Sequence, residues 1–173
     1  MTTKERALGR FFDIAPVVSV ADLSAGASTG NRVHMKNFTI CTFVLYADAG
    51  TDGDDVDVDL QEHNAASGGT SQDLNIITEY FKKEETTLDN DEVWTRVTQT
   101  TASSEFTAPI AASAEKENLY VIEVRADQLS DGFEWLSLNI PDLGSAGTKF
   151  GGVLAILSGP FVMRKPENLA APQ

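Results

Sequence analysis

Val56, Val58 and Leu60 alternate with Asp57, Asp59 and Gln61. A period of two places the apolar side chains on one face of an extended chain, whereas a helix would scatter them. The alternation predicts a strand with one face in a core and carboxylates towards water. Other segments have the same grain. Val17-Val18-Ser19-Val20 is β-branched, and Val93–Thr101 is rich in Val, Trp and Thr. Phe38 through Tyr46 is apolar at both parities, which predicts a strand buried on both faces. Leu119–Ala126 puts Tyr120, Ile122 and Val124 on one side. Phe133–Ile140 does so with Leu136, Leu138 and Ile140, and Pro141 ends it because proline cannot donate to a ladder. Phe150–Met163 contains the apolar run Val153–Leu157. Leu74–Phe81 could line a helix face, but its β-branched and aromatic content favours a strand.

Turn chemistry separates these runs: Ala25–Asn31, Asp48–Asp55, Ala65–Ser71, Leu88–Glu92, Asp131-Gly132 and Leu143–Gly147. About eight short strands with Gly-rich turns and no long helical pattern predict an all-β fold. The expected form is an antiparallel β-sandwich, jelly-roll-like, with extended terminal arms. The 173 residues suit one domain. Residues 1–12 read as an N-terminal arm, 13–163 as the sandwich and 164–173, with two prolines, as an extended C-terminal tail. A chain of this length buries ~70% of its unfolded surface, so its core requires neither disulfides nor metal.

Thirteen basic against 26 acidic residues leave a net charge of −13. Such a surface repels phosphates and anionic membranes, so neither nucleic acid nor membrane is an expected partner. The same charge favours solubility at high local concentration. No apolar run approaches the ~20 residues of a membrane span. Met1–Arg10 is polar and lacks the apolar stretch of roughly 7–15 residues found in a secretory leader, so no secretory signal is expected. On that footing Asn37-Phe38-Thr39 is a chance match to the glycosylation sequon. Cys41, the lone cysteine, lies in the apolar run Ile40–Tyr46 and reads as a small core hydrophobe. No Lys or Arg between Lys36 and Lys82 is present to activate it.

Five features invite a chemical reading. Gly26-Ala27-Ser28-Thr29-Gly30 fits the nucleophile-elbow pattern, which needs a helix after the serine. A strand-like segment follows instead, and only His34 and His63 could act as base. Asp48, Asp52, Asp54, Asp55, Asp57, Asp59 and Glu62 form the densest carboxylate cluster. Aligned as a calcium loop from Asp48, it has Gly50 at the third position and no glutamate at the twelfth, so a solvated hairpin and strand face is expected. One Cys and two distant His do not make a closed zinc site. Gly144–Gly152 has Gly-Thr-Lys in place of the Gly-Lys-Thr/Ser order of a phosphate loop, and a strand follows it. Trp94 and Trp135 read as core or interface anchors, with a sugar platform as the alternative. The expectation is a non-enzyme with no catalytic residue, cofactor or metal. The interaction candidates are Arg6, Arg10, Phe11 and Phe12, where a basic, aromatic segment in an acidic protein suits docking on an acidic or apolar partner.

Four stretches carry a family resemblance: Ala21–Asn37 (ADLSAGASTGNRVHMKN), Gly50–His63 (GTDGDDVDVDLQEH), Leu88–Thr100 (LDNDEVWTRVTQT) and Val121–Gly144 (VIEVRADQLSDGFEWLSLNIPDLG). In order and style they resemble small virion proteins of tailed bacteriophages, most of all the capsid decoration, or cement, proteins. The resemblance implies a compact sandwich or jelly roll on the capsid exterior, commonly a homotrimer, bound to the major capsid protein. It implies synthesis in the host cytoplasm, no catalytic residues, and terminal arms that clasp neighbours. The alternatives are a tail or head–tail connector component, a carbohydrate-binding β-sandwich module, and a small hydrolase using Ser28.

Overall fold

The structure is a computed structural model and describes residues 7–106, 113–144 and 147–172. Among these residues ten strands run in chain order: β1 (Phe12–Asp22), β2 (Val33–His34), β3 (Phe38–Ala47), β4 (Asp59–His63), β5 (Ser71–Asp73), β6 (Ile77–Glu85), β7 (Thr95–Ser103), β8 (Glu117–Arg125), β9 (Trp135–Asn139) and β10 (Phe150–Pro160). They form a six-stranded sheet, β1-β10-β3-β8-β6-β7, and a four-stranded sheet, β2-β9-β4-β5. Every strand pair is antiparallel. Among the described residues there is no α-helix, only short 3-10 turns.

The pairing gives the topology. Setting β6 and β7 aside, β1 pairs with β10, β2 with β9, β3 with β8 and β4 with β5. Successive pairs fall alternately in the large and the small sheet. A two-stranded ribbon wrapped in this way is a jelly roll, so the expected antiparallel sandwich is the observed fold. The β6–β7 hairpin is inserted between β5 and β8 and widens the large sheet.

The core lies between the sheets. Cys41, Phe43, Leu45 and Ala47 enter it from β3; Tyr120, Ile122 and Val124 from β8; Leu60, Leu136 and Leu138 from the small sheet. Each is at most 2% exposed. Burial pushes the Cys41 thiol well above its ordinary range, which keeps it protonated and unreactive. Tyr80 points inwards and stacks on Phe106 at 4.1 Å, so the strand reading of this region is the observed one.

Two expectations need correction. Val56, Val58 and Leu60 are fully buried, but pairing begins only at Asp59, and the carboxylates between them are not simply solvated. Asp57 accepts from the Val58 and Phe106 amides at 2.7 and 3.2 Å, and Asp59 from Asn139 Nδ2 at 3.0 Å. β3 is not buried on both faces. Its outward residues Ile40, Thr42 and Val44 are half-buried and Tyr46 is 46% exposed, because the small sheet covers one side alone.

The described segments near the two ends of the chain meet. The described part of the N-terminal arm turns on itself, with the Phe11 amide donating to Ala7 O and the Gly9 amide to Phe12 O. The Arg164 amide then donates to Gly9 O at 2.8 Å. Gly9 has φ +76°, and a Cβ there would lie 2.6 Å from Arg164 O, so glycine allows this approach. The tail continues until Pro172 O accepts from the His34 amide.

Phe43 fixes the centre of the larger sheet. Phe43→Ala should cost about 3–5 kcal/mol in urea unfolding, as a large ring is removed from a filled interior. A loss below ~1 kcal/mol would mean that the two sheets do not pack here as described.

Candidate interaction surfaces

The outward side of the six-stranded sheet follows from register. Pro16 lies opposite Leu154, Leu154 opposite Val44, Val44 opposite Val121 and Val121 opposite Phe81. Directly opposed residues share a face, so one apolar row crosses five adjacent strands over ~19 Å. Ile14 and Ile156 flank it on one side, and Tyr46 and Leu119 on the other. Leu154 and Phe150 are each 49% exposed and Ile14 46%. Charged residues share this face: Glu123 lies opposite Thr42, Lys83 opposite Leu119, Arg125 opposite Ile40, and Arg96, paired with Glu79, opposite Phe81.

Charge divides along the strands. At one end, where Ala47 pairs with Asn118 and Glu85 with Glu117, the chain carries Asp48, Glu84, Glu85 and Glu117. The Asp48–Asp55 loop and the β6–β7 turn project from this end. That turn holds Asp89, Asp91 and Glu92, whose carboxylate oxygens lie within 4.8 Å of one another. Asp91 is held above its usual range, first by its hydrogen bond with Asp89 and then by that group's negative charge. Val93 (81% exposed) and Trp94 (48%) follow directly, with Lys83 Nζ 5.3 Å over the indole. At the opposite end, Phe38 pairs with Pro160 and Ile40 with Arg125. There Lys36, Arg164 and Lys165 are exposed, beside Phe11, Phe161, Val162 and Met163.

The residues singled out from sequence fall as follows. Arg6 lies outside the described residues. Arg10 is half-buried with its guanidinium 5.2 Å over the Phe11 ring. Phe11 is exposed, and Phe12 opens β1 opposite Ser158, half-buried. Sequence reasoning missed Phe161–Met163 by extending the last strand to Met163. β10 ends at Pro160, after Gly159 takes φ +63°, and the three apolar residues that follow are left in solvent.

Ser28 bridges to Ile140, at the other end of β9 from Trp135, the residue opposite His63. His63 is instead buried between Ser71 Oγ (2.7 Å) and Ser137 Oγ (2.9 Å). Beside it Glu62, fully buried, accepts from Gln72 Nε2 and the Ser130 amide. Lys149, in the Gly-rich stretch, is also fully buried, and its Nζ donates to the carbonyls of Ser113, Ala114 and Lys116 at 2.9–3.1 Å. It therefore fastens a loop where a phosphate-binding lysine would face a ligand. Burial lowers its pKa, while Asp48, Asp54, Asp55 and Glu84 oppose that shift. Trp135 stacks on His34 at 4.1 Å in the small sheet, whereas Trp94 precedes an edge strand of the large one, so the two indoles make no shared platform.

The fold and surfaces define a jelly-roll sandwich with an exposed apolar sheet face and poles of opposite charge. Compared with protein-family models, curated proteins and solved structures, the chain gives no match.

His63 gives the sandwich a measurable acid sensitivity. Burial, aided by the Arg32 charge and opposed by Glu62, lowers its pKa from 6.5 to about 4. Between these values the unfolded chain takes up a proton that the folded chain refuses. This contribution to stability is whole above pH 6.5 and is lost as pH falls to about 4, by up to about 1.4 kcal/mol per pH unit. Urea unfolding of wild type and His63→Gln across that window should show a shallower acid limb for the variant; equal slopes would contradict the assignment.

Proposed function

We propose that this chain is a structural protein of a tailed-bacteriophage virion that decorates the outer capsid surface and cements the shell. In this reading it contacts the major capsid protein and neighbouring copies of itself, as a homotrimer at capsomer junctions. The observation that carries the proposal is the apolar row Pro16, Leu154, Val44, Val121 and Phe81 on the open side of the large sheet. Contiguous exposed apolar surface on a soluble protein marks a place where another macromolecule packs. The acidic body of −13 turns the rest of the surface away from packaged nucleic acid and from other particles. A protein that binds the assembled shell better than free subunits stabilises that shell by mass action, and many copies add avidity.

Co-sedimentation with expanded capsids tests the reading. Wild type should pellet with them at many copies per particle. Leu154→Glu with Tyr46→Glu, both on half-exposed outward positions, should weaken binding at least ~10-fold while leaving the sandwich folded. A wild-type chain that stays in the supernatant would overturn the proposal. A few copies confined to one vertex would favour a connector.

A further inference from the structure

The two ends of the molecule are complementary to each other, and they cannot meet within one chain. The ten residues of β3 alone hold them ~30 Å apart. The turn between β6 and β7 presents carboxylates from Asp89, Asp91 and Glu92 next to exposed Val93 and Trp94. An open hollow beside it is lined by Glu84, Glu85, Asp91, Glu92 and Val93, with Lys82 engaged by Glu84 at 2.6 Å. The terminal pole presents Phe161, Val162 and Met163, 59–66% exposed, next to Arg164 and Lys165. Glu167 is the one acidic residue of the tail, and nearby Asp127 is paired with Arg125. Each end thus offers apolar contact area framed by charge: carboxylates predominate at the turn, where Lys83 stands over Trp94, and cations at the terminal pole, where Glu134 pairs with His34.

We propose that the β6–β7 turn of one copy docks on the terminal pole of a second copy of this chain, in a head-to-tail contact. Charge complementarity selects a second copy as the occupant. An unrelated acidic partner would match the terminal pole and leave the Val93–Trp94 tip uncovered, whereas a second copy covers both ends with one repeated contact. The contact is heterologous, so repetition closes a ring or runs on as a chain. The inserted hairpin then has a role that the eight-stranded roll lacks: it carries the binding tip beyond the sandwich. The inference deepens the self-association in the proposed function and is tested on free protein, so failure to bind capsids and failure to self-associate are separate results.

The test is analytical ultracentrifugation of the intact chain in chelator-containing buffer, across protein and salt concentration. Wild type should associate, and association should weaken as salt rises. Asp91→Lys with Glu92→Lys, and separately Arg164→Glu with Lys165→Glu, should each weaken association roughly 100-fold, since each places like charges across the contact. Mixing the two variants should restore assembly, because each supplies the other with a complementary end. Circular dichroism checks that both keep the sandwich. The inference is overturned by a monomeric wild type, by variants that associate like wild type, or by a mixture that stays dissociated. Association that appears only when calcium is added would assign the tip to a cation instead and would overturn it as well.

Discussion

A sheet has two faces, and among the described residues the large sheet is sealed on one. β3 lies within the six-stranded sheet with β10 on one side and β8 on the other, and its inward residues Cys41, Phe43, Leu45 and Ala47 are sealed against the small sheet. Its outward residues are nearly as apolar, yet Ile40, Thr42 and Val44 are only half-buried and Tyr46 is 46% exposed. The ribbon pairing leaves four strands facing six, so the imbalance is built into the topology. Hydrophobic burial scales with the apolar area removed from water, so covering the half-exposed Leu154, Ile14 and Tyr46 on this face would favour association.

Three buried polar side chains inside the sandwich are paired in ways that fasten loops to strands. Lys149 collects three backbone carbonyls, Glu62 holds the Ser130 amide and Gln72, and His63 links Ser71 to Ser137. Each group is almost wholly buried, and each would cost stability if left alone. These groups explain how Gly- and Asp-rich connections can lie against a compact core. The long connections fix the ends of the molecule, and it is there that charge separates: acidic where β3 ends and the inserted hairpin projects, basic and aromatic where the termini meet.

Much of the fold was legible in the sequence. Period-two runs such as Leu136-Ser137-Leu138 and Tyr120-Val121-Ile122 marked their strands, and the turn residues separated them. β2 and β5 left no signal because two or three residues carry no period. The interaction surfaces were legible only in part. Phe11 and Arg10 stood out as a basic, aromatic segment, but the matching tail residues Phe161–Met163 looked like the end of a strand. Only the backbone turn at Gly159 separates them from it. The apolar parity of β3 was visible, but read as burial on both sides, since sequence cannot say whether the cover comes from the same chain. Lys149 gave no hint of its burial, because a lysine beside glycines reads as a loop residue.

The proposed place on a capsid exterior is tested by cryo-electron microscopy of particles assembled with this chain. The account predicts density for this jelly roll at many symmetry-related positions on the outer shell, with Pro16, Leu154, Val44, Val121 and Phe81 packed against another protein. Density at one vertex alone, no density on the shell, or an outer sheet face open to solvent at every copy would contradict it.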